Sequence, residues 1–378
     1  MDTRVAGPPA TIEVEDGGGM VSVTWSDGTA SRFPAIWLAD NRPEGRRGSE
    51  GQRLSDALDL PENVSVQRAA LIAGGIEIAF SCFEHPALFD PAWLRDHALD
   101  PASRSARRRH EIELWDGGLT ARIPADTYEA ITRDATALAR WLASVARFGF
   151  ALLHGVPARQ GMVCEVVELF GYVRETNYGR LFDVISVEQP QNLAFTALAL
   201  GNHTDNPYRD PVPQLQLLHC LEAADSGGES VVVDGFAAAD RLRREAPDAF
   251  ALLTRTQVDF RYVESGAVDL RHAAPLIELD VAGDLRAVRY NNRSIGPLDL
   301  DPDEIPAFYA AYRRFGRLLH DPALTVGFRL RQGDLFIVDN RRVLHGRRGF
   351  AGGRRHLQGA YADADSLMSK LRILAGRA

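Results

Sequence analysis

A mainly β fold with flanking helices, divided into two domains near residue 100, is predicted by three features of this sequence. Period-two apolar spacing closed by Asp-Gly turns runs through residues 1–100. Short, fully apolar runs recur through 101–378. A few longer stretches there place apolar residues at helical spacing.

The first hundred residues read as a small β-rich N-terminal domain. Ile12 and Val14 alternate with polar neighbours, Asp16-Gly17-Gly18-Gly19 supplies a turn, and Val21, Val23 and Trp25 resume the alternation before Ser26-Asp27-Gly28. An internal echo follows: VSVTW at 21–25 resembles IEIAF at 76–80, and Trp37-Leu38 resembles Trp93-Leu94. Two copies are too few for a solenoid and point to a small sheet built from two similar units. The polar, Gly-rich segment 41–53 between them reads as an exposed loop. Residues 97–112, with Arg104, Arg107, Arg108 and Arg109, read as a solvated connector, and the domain boundary is placed there.

In the second domain, Leu138, Trp141, Leu142 and Val145 define a helix over 134–147, and residues 149–153 then read as a buried strand. Helices are also predicted over 239–255, interrupted at Ala246-Pro247, and over 302–319, where Asp301, Asp303 and Glu304 favour the start. The runs LQLLHC (215–220), SVVVDG (230–235) and DLFIVDN (334–340) read as buried strands. Strands dominate, so the core is expected to be a β barrel or sandwich carrying helices.

Composition limits the function. The 378 residues carry 43 Lys and Arg against 51 Asp and Glu, a formal charge of −8, which lacks the basic footprint of a nucleic-acid binder or of a protein held on anionic lipid. No apolar run is long enough for a membrane span. Cys82, Cys164 and Cys220 are far apart and form no disulfide framework, and the N-terminal segment lacks the apolar stretch of a signal peptide, so a cytoplasmic location is expected.

One constellation carries chemistry. His203-Thr204-Asp205 is an HxD triplet, and in an extended strand or at its terminus residues i and i+2 point the same way. With His345, which lies 140 residues after Asp205, it would make a two-histidine, one-carboxylate face that holds Fe(II) and leaves positions open for chemistry. HxD alone is weak evidence. Its neighbourhood strengthens it: Arg355, ten residues after His345, offers a planar fork to a carboxylate, and Ser230, 27 residues after His203, can add a hydroxyl. Together these suggest a 2-oxo acid on the metal. A zinc hydrolase would use similar ligands but leaves Arg355 and Ser230 unexplained, and a non-catalytic scaffold would be expected to have lost a ligand.

The segments GNHTDNPYRDPVPQLQLLHC (201–220), GGESVVVDGF (227–236), RYNNRS (289–294), DNRRVLHGRRGF (339–350), RRHLQGAYADAD (354–365) and LMSKLRIL (367–374) carry a resemblance to a known family. The sequence resembles the γ-butyrobetaine dioxygenase branch of the taurine-dioxygenase-like Fe(II)/2-oxoglutarate oxygenases over nearly its whole length. The resemblance implies a double-stranded β-helix (jelly-roll) catalytic domain, a homodimer, and iron ligands at His203, Asp205 and His345. It places the 2-oxoglutarate anchor at Arg355, one residue after Arg354, with Ser230 in support. It also implies an enzyme that couples oxidative decarboxylation of 2-oxoglutarate to hydroxylation of an unactivated C–H by dioxygen.

The family's aromatic positions for a quaternary ammonium group fall on Tyr178, Phe182, Phe195 and Tyr361. Aromatic faces hold such a cation at about 0.5–2 kcal/mol per good contact. Any one of these rings taken alone also reads as core packing. The polar positions for the anionic end of the substrate fall on Asn192 and Asn292, and Arg293 follows directly. Turned inward, Arg293 suits a phosphonate; turned outward, it is a surface arginine. The implied substrate is γ-butyrobetaine, giving L-carnitine, with a trimethylammonio-phosphonate or trimethyllysine as alternatives. Relatives often bind a structural zinc through cysteines just after a WLxDN segment plus a histidine. Here Trp37-Leu38-Ala39-Asp40-Asn41 is followed by no cysteine and only His85 matches, so no structural zinc is expected.

Overall fold

The computed structural model describes residues 7–47, 52–108, 112–185, 198–351 and 354–376. It divides into two compact units, 1–110 and 111–378. Pro101–Arg108, read from sequence as a connector, forms a helix grouped with the first unit. Arg109 lies outside the described residues.

The first unit repeats one motif. Strands Pro9–Glu15, Met20–Trp25 and Ala30–Pro34 form an antiparallel sheet followed by the short helix Ala35–Asp40. Strands Val66–Ile72, Gly75–Phe80 and Ala87–Phe89 form a second sheet followed by the helix Pro91–Asp96. The sequence echo is therefore a structural one. Val21, Val23 and Trp25 in one copy and Ile76, Ile78 and Phe80 in the other all point into a shared core, as side chains two residues apart on a strand must. The repeated tryptophans meet there, with the Trp37 and Trp93 rings 5.7 Å apart. Segment 41–53 is not wholly irregular: residues 46–47 pair with 52–53. His85 is exposed in the turn before Ala87–Phe89.

The second unit is built on two sheets. The larger has seven strands; its central run is His356–Ala362, Leu215–Glu222, Leu335–Asp339 and Phe150–His154, all antiparallel neighbours. The smaller has the order Leu200–His203, Val343–Arg347, Ser230–Asp234, Thr325–Phe328. Strand alternation decides what each face does. Phe150, Leu152, Leu218, Cys220, Phe336, Val338 and Leu357 of the large sheet share a core with Val232, Val326 and Phe328 of the small one, so the sheets pack face to face. The intervening residues Ala151, Leu153, Leu215, Leu217, Leu335, Ile337 and Ala360 turn the other way, onto helices Ala135–Phe148, Met162–Glu168 and Ala364–Leu374. On the far side of the small sheet, Val233 and Leu344 pack on helices Gly235–Glu245, Pro247–Arg255 and Ile305–Leu319.

Local signals account for the helix ends. Asp134 caps Ala135–Phe148 by accepting from the Thr136 N–H, and Gly149 ends it in the left-handed region at φ 77°. Ala246-Pro247 breaks the predicted 239–255 helix into two, as proline lacks the N–H that would continue it. Among the described residues no helix is long and apolar enough to cross a membrane.

Candidate active site

The site forms where the small sheet meets the segment after strand Leu200–His203. His203 and His345 are directly opposed across neighbouring antiparallel strands, with ring centroids 4.5 Å apart. Asp205 reaches them from just past the strand's end. The strand ends at His203, and Asp205 sits in the bend beyond it, just before Asn206 at φ 52°. The bend is clamped by distant residues. Asn340 accepts from the Asp205 N–H (2.6 Å) and donates to the Asp205 and Pro213 carbonyls (2.9 Å each). The Thr204 backbone exchanges hydrogen bonds with Tyr290 and Asn291.

His203, Asp205 and His345 each bring one donor atom to a common point, all within 4.8 Å of one another. His203 Nδ1 lies 2.9 Å from the Gly201 carbonyl, which can only accept, so Nδ1 carries a proton and Nε2 is the atom turned to the site. That Nε2 is 3.3 Å from Asp205 Oδ1, and His345 Nε2 is 4.0 Å from the same oxygen. The other carboxylate oxygen, Oδ2, accepts from Gln216 Nε2 (2.6 Å) and from the Tyr361 hydroxyl (2.9 Å), so Oδ1 alone faces the histidines. Burial opposes ionisation of Asp205, but the His203 contact, the two imidazoles and the Tyr361 hydroxyl hold it well below the usual carboxylate range. Burial and the neighbouring His203 push His345 down to about 3, which leaves its imidazole neutral.

A second cluster lies nearby. Arg355 is buried, whereas Arg354 is exposed and 3.8 Å from Glu222. Among the described residues no carboxylate or carbonyl accepts a hydrogen bond from Arg355; its guanidinium lies 6.0 Å from the Phe350 ring centroid. Burial and the charge of Arg347 push it down to about 10, so it remains cationic at neutral pH. Buried Ser230 stands opposite Arg347 across the small sheet. A buried cation without a protein counter-ion is costly unless a ligand supplies one.

Aromatic rings run on from the metal-ligating group. Tyr361 contacts Asp205 through its hydroxyl and packs its ring 5.0 Å from Phe182. Phe182 lies 6.1 Å from Tyr178, close over Gly359, where any Cβ would collide with the Phe182 ring. Two further rings were not singled out in the sequence: Tyr262 meets Tyr178 edge-on at 6.1 Å and stacks on Tyr208 at 5.1 Å. Tyr208 had a local signal, lying three residues after Asp205; Tyr262 had none, because a distant hairpin delivers it. Gln216 and Asn340 were missed for the same reason.

Three sequence-predicted positions need separate description. Asn192 and Phe195 lie outside the described residues. Asn292 is exposed and its Oδ1 accepts from the Tyr312 hydroxyl (3.2 Å), while its neighbour Asn291 is the buried one. Arg293 is exposed as a residue, yet its charge is felt at His345, where it disfavours the imidazolium.

The donor set fits Fe(II): two imidazoles and one tethered carboxylate oxygen on one side of a point. Arg355, unpaired among the described residues, fits a carboxylate co-substrate such as 2-oxoglutarate. Comparison with known proteins agrees with this chemistry. The model of the taurine catabolism dioxygenase TauD, TfdA family matches residues 117–361, and the chain belongs to that family of dioxygenases. It is 40% identical over 361 residues to the γ-butyrobetaine dioxygenase of Pseudomonas sp. (strain AK-1), covering 94% of this chain and 93% of that protein. It is 31% identical to the γ-butyrobetaine dioxygenase of Homo sapiens, covering 97% of each. It is also 29% identical to the trimethyllysine dioxygenase of Meyerozyma guilliermondii, covering 94% of each.

Proposed function

We propose that this dioxygenase hydroxylates a C–H of a trimethylammonium zwitterion, with γ-butyrobetaine as the substrate and L-carnitine as the product. The observation that carries the reading is the continuity between the metal-ligating group and an aromatic lining. Tyr361 belongs to both, bonded to Asp205 at one end and packed on Phe182 at the other. A quaternary ammonium has no N–H to donate, and ring faces are what a protein can offer it.

In this reading His203, Asp205 and His345 hold Fe(II), and the two packed sheets are a double-stranded β-helix. When bound, Fe(II) with 2-oxoglutarate and dioxygen supplies the oxidation of an unactivated C–H to an alcohol, with succinate and carbon dioxide as co-products. Arg355 and Ser230 bind the far carboxylate of 2-oxoglutarate. Tyr178, Phe182, Tyr361 and Phe195 hold the cation, and Asn192 and Asn292 serve the anion. Fixing both ends selects one carbon for reaction. The working form is a homodimer.

A phosphonate substrate is the second reading, in which Arg293 serves the anion. A screen that follows succinate release with γ-butyrobetaine, trimethyllysine and 2-(trimethylammonio)ethylphosphonate separates the readings. Faster turnover of γ-butyrobetaine supports the first, and preference for the phosphonate replaces it with the second. His345→Ala is expected to abolish iron binding and succinate release; retention of either removes His345 from the metal centre.

A further inference from the structure

Asn206 directly follows Asp205, and its backbone occupies the left-handed region at φ 52°. Asparagine is among the few side-chain-bearing residues that enter this region readily, and such conformations cluster at ligand sites. The residue is buried, at 5% relative exposure. Oδ1 is engaged, accepting from the Tyr208 hydroxyl at 2.6 Å. Among the described residues Nδ2 is buried with no hydrogen-bond partner. Leaving a buried amide donor unpaired is costly unless a ligand supplies the acceptor. Because the single Tyr208 proton is committed to Asn206, the Tyr178 hydroxyl, 3.2 Å from that of Tyr208, is the donor of their mutual bond. The order Tyr178 to Tyr208 to Asn206 therefore fixes which end of the amide is tied and leaves the N–H end available.

We infer that Asn206 is a specificity-determining residue whose Nδ2 donates to the anionic group of the substrate. The inference rests on the trimethylammonium reading above and extends it. A trimethylammonium zwitterion carries acceptors only at its anion, so an N–H donor beside the aromatic lining has one end of the molecule to serve. Asn206 joins the metal centre to the rings: it is adjacent in sequence to Asp205 and bonded through Tyr208 to Tyr178. A neutral amide selects for an anion by direction, without the buried charge that an arginine would bring to the iron ligands.

The test compares two ligands that share the cation, γ-butyrobetaine and n-butyltrimethylammonium, by equilibrium binding to the anaerobic protein loaded with Fe(II) and 2-oxoglutarate. Asn206→Gly removes the amide and suits the positive φ; Asn206→Asp keeps the shape and replaces the donor by a negative charge. Tyr208→Phe removes the group that orients the amide. For wild type, tighter binding of γ-butyrobetaine than of the anion-free cation is expected. Asn206→Gly is expected to weaken γ-butyrobetaine about tenfold and n-butyltrimethylammonium less than twofold. Asn206→Asp should weaken the zwitterion further, and Tyr208→Phe should give a smaller loss of the same sign. Equal losses for both ligands, or no loss for γ-butyrobetaine, overturn the assignment of Asn206 while the substrate reading stands. Failure of the wild-type protein both to bind γ-butyrobetaine and to release succinate with any trimethylammonium compound overturns the substrate reading, and this inference with it.

Discussion

Arg342 and Arg355 are both buried arginines of the catalytic unit, at 2% and 6% exposure, yet they meet opposite surroundings. Arg342 forks onto Asp234 through Nε (3.0 Å) and Nη2 (2.7 Å), and gives its remaining bonds to the carbonyls of Arg147 (2.8 Å) and Glu113 (2.6 Å). Asp234 in turn accepts from the N–H groups of Phe236 and Trp115. Arg355 has an aromatic ring, a second arginine and no described carboxylate. Both charges lost their hydration on folding. The protein compensates the first, so it serves the fold; the second, in the proposed function, is left for an incoming anion. Burial alone does not separate these roles, whereas the completeness of the partner set does.

The sharpest way to break this comparison is Arg342→Ala. Removing one member of a fully buried pair leaves the Asp234 carboxylate without its counter-ion, a loss of about 3–5 kcal/mol. Chemical denaturation should show a loss of that size, while the folded fraction keeps its affinity for 2-oxoglutarate. A loss below about 1 kcal/mol would mean that the pair is not structural.

Arg355→Ala should do the reverse. A charge-assisted hydrogen bond contributes about 1.5–3 kcal/mol, so the half-saturating 2-oxoglutarate concentration should rise roughly 10- to 100-fold. The denaturation midpoint should hold or increase, since the variant no longer buries an unpaired cation. A stability loss as large as that of Arg342→Ala would erase the distinction between the two residues.

Tyr361→Phe probes the same contrast at the metal centre. Asp205 Oδ2 has two donors, Gln216 and Tyr361, and the variant removes one while keeping the ring against Phe182. Outer hydrogen bonds of this kind typically govern about 10- to 100-fold in metal affinity. Because Gln216 remains, the lower end, about tenfold weaker Fe(II) binding, is expected. It would be read by metal titration with little change in the binding of the trimethylammonium group. An unchanged Fe(II) affinity would leave Gln216 as the tether that matters.

These residues also mark what the sequence makes legible. Period-two spacing exposes the strands and the echoed N-terminal units because adjacent residues decide which face is buried, as Val21, Val23 and Trp25 show. The spacing of Leu138, Trp141, Leu142 and Val145 exposes a helix for the same local reason. His203, Asp205 and His345 are legible as residue types at a spacing. The bend that turns Asp205 back onto the histidines is not, since it depends on Asn340 and Asn291, which reach it from distant segments. The order of strands in both sheets is equally non-local. Partner sets such as that of Arg342 arise only when four segments meet, so no pattern along the chain distinguishes it from Arg355.

Arg354→Ala is the smallest expected effect and the control for the whole comparison. Arg354 and Arg355 are adjacent, identical in type and indistinguishable by motif. The strand that begins at His356 sends Arg355 inward and leaves Arg354 beside Glu222, 3.8 Å away and with both side chains well exposed. An exposed pair at that distance contributes little, because solvent screens it and two long side chains lose freedom in making it. The 2-oxoglutarate requirement of Arg354→Ala should therefore stay within about twofold of wild type, with an unchanged denaturation midpoint. A rise of tenfold or more would move the anchor to Arg354, and Arg355 would then be a buried cation whose counter-charge has to be sought elsewhere.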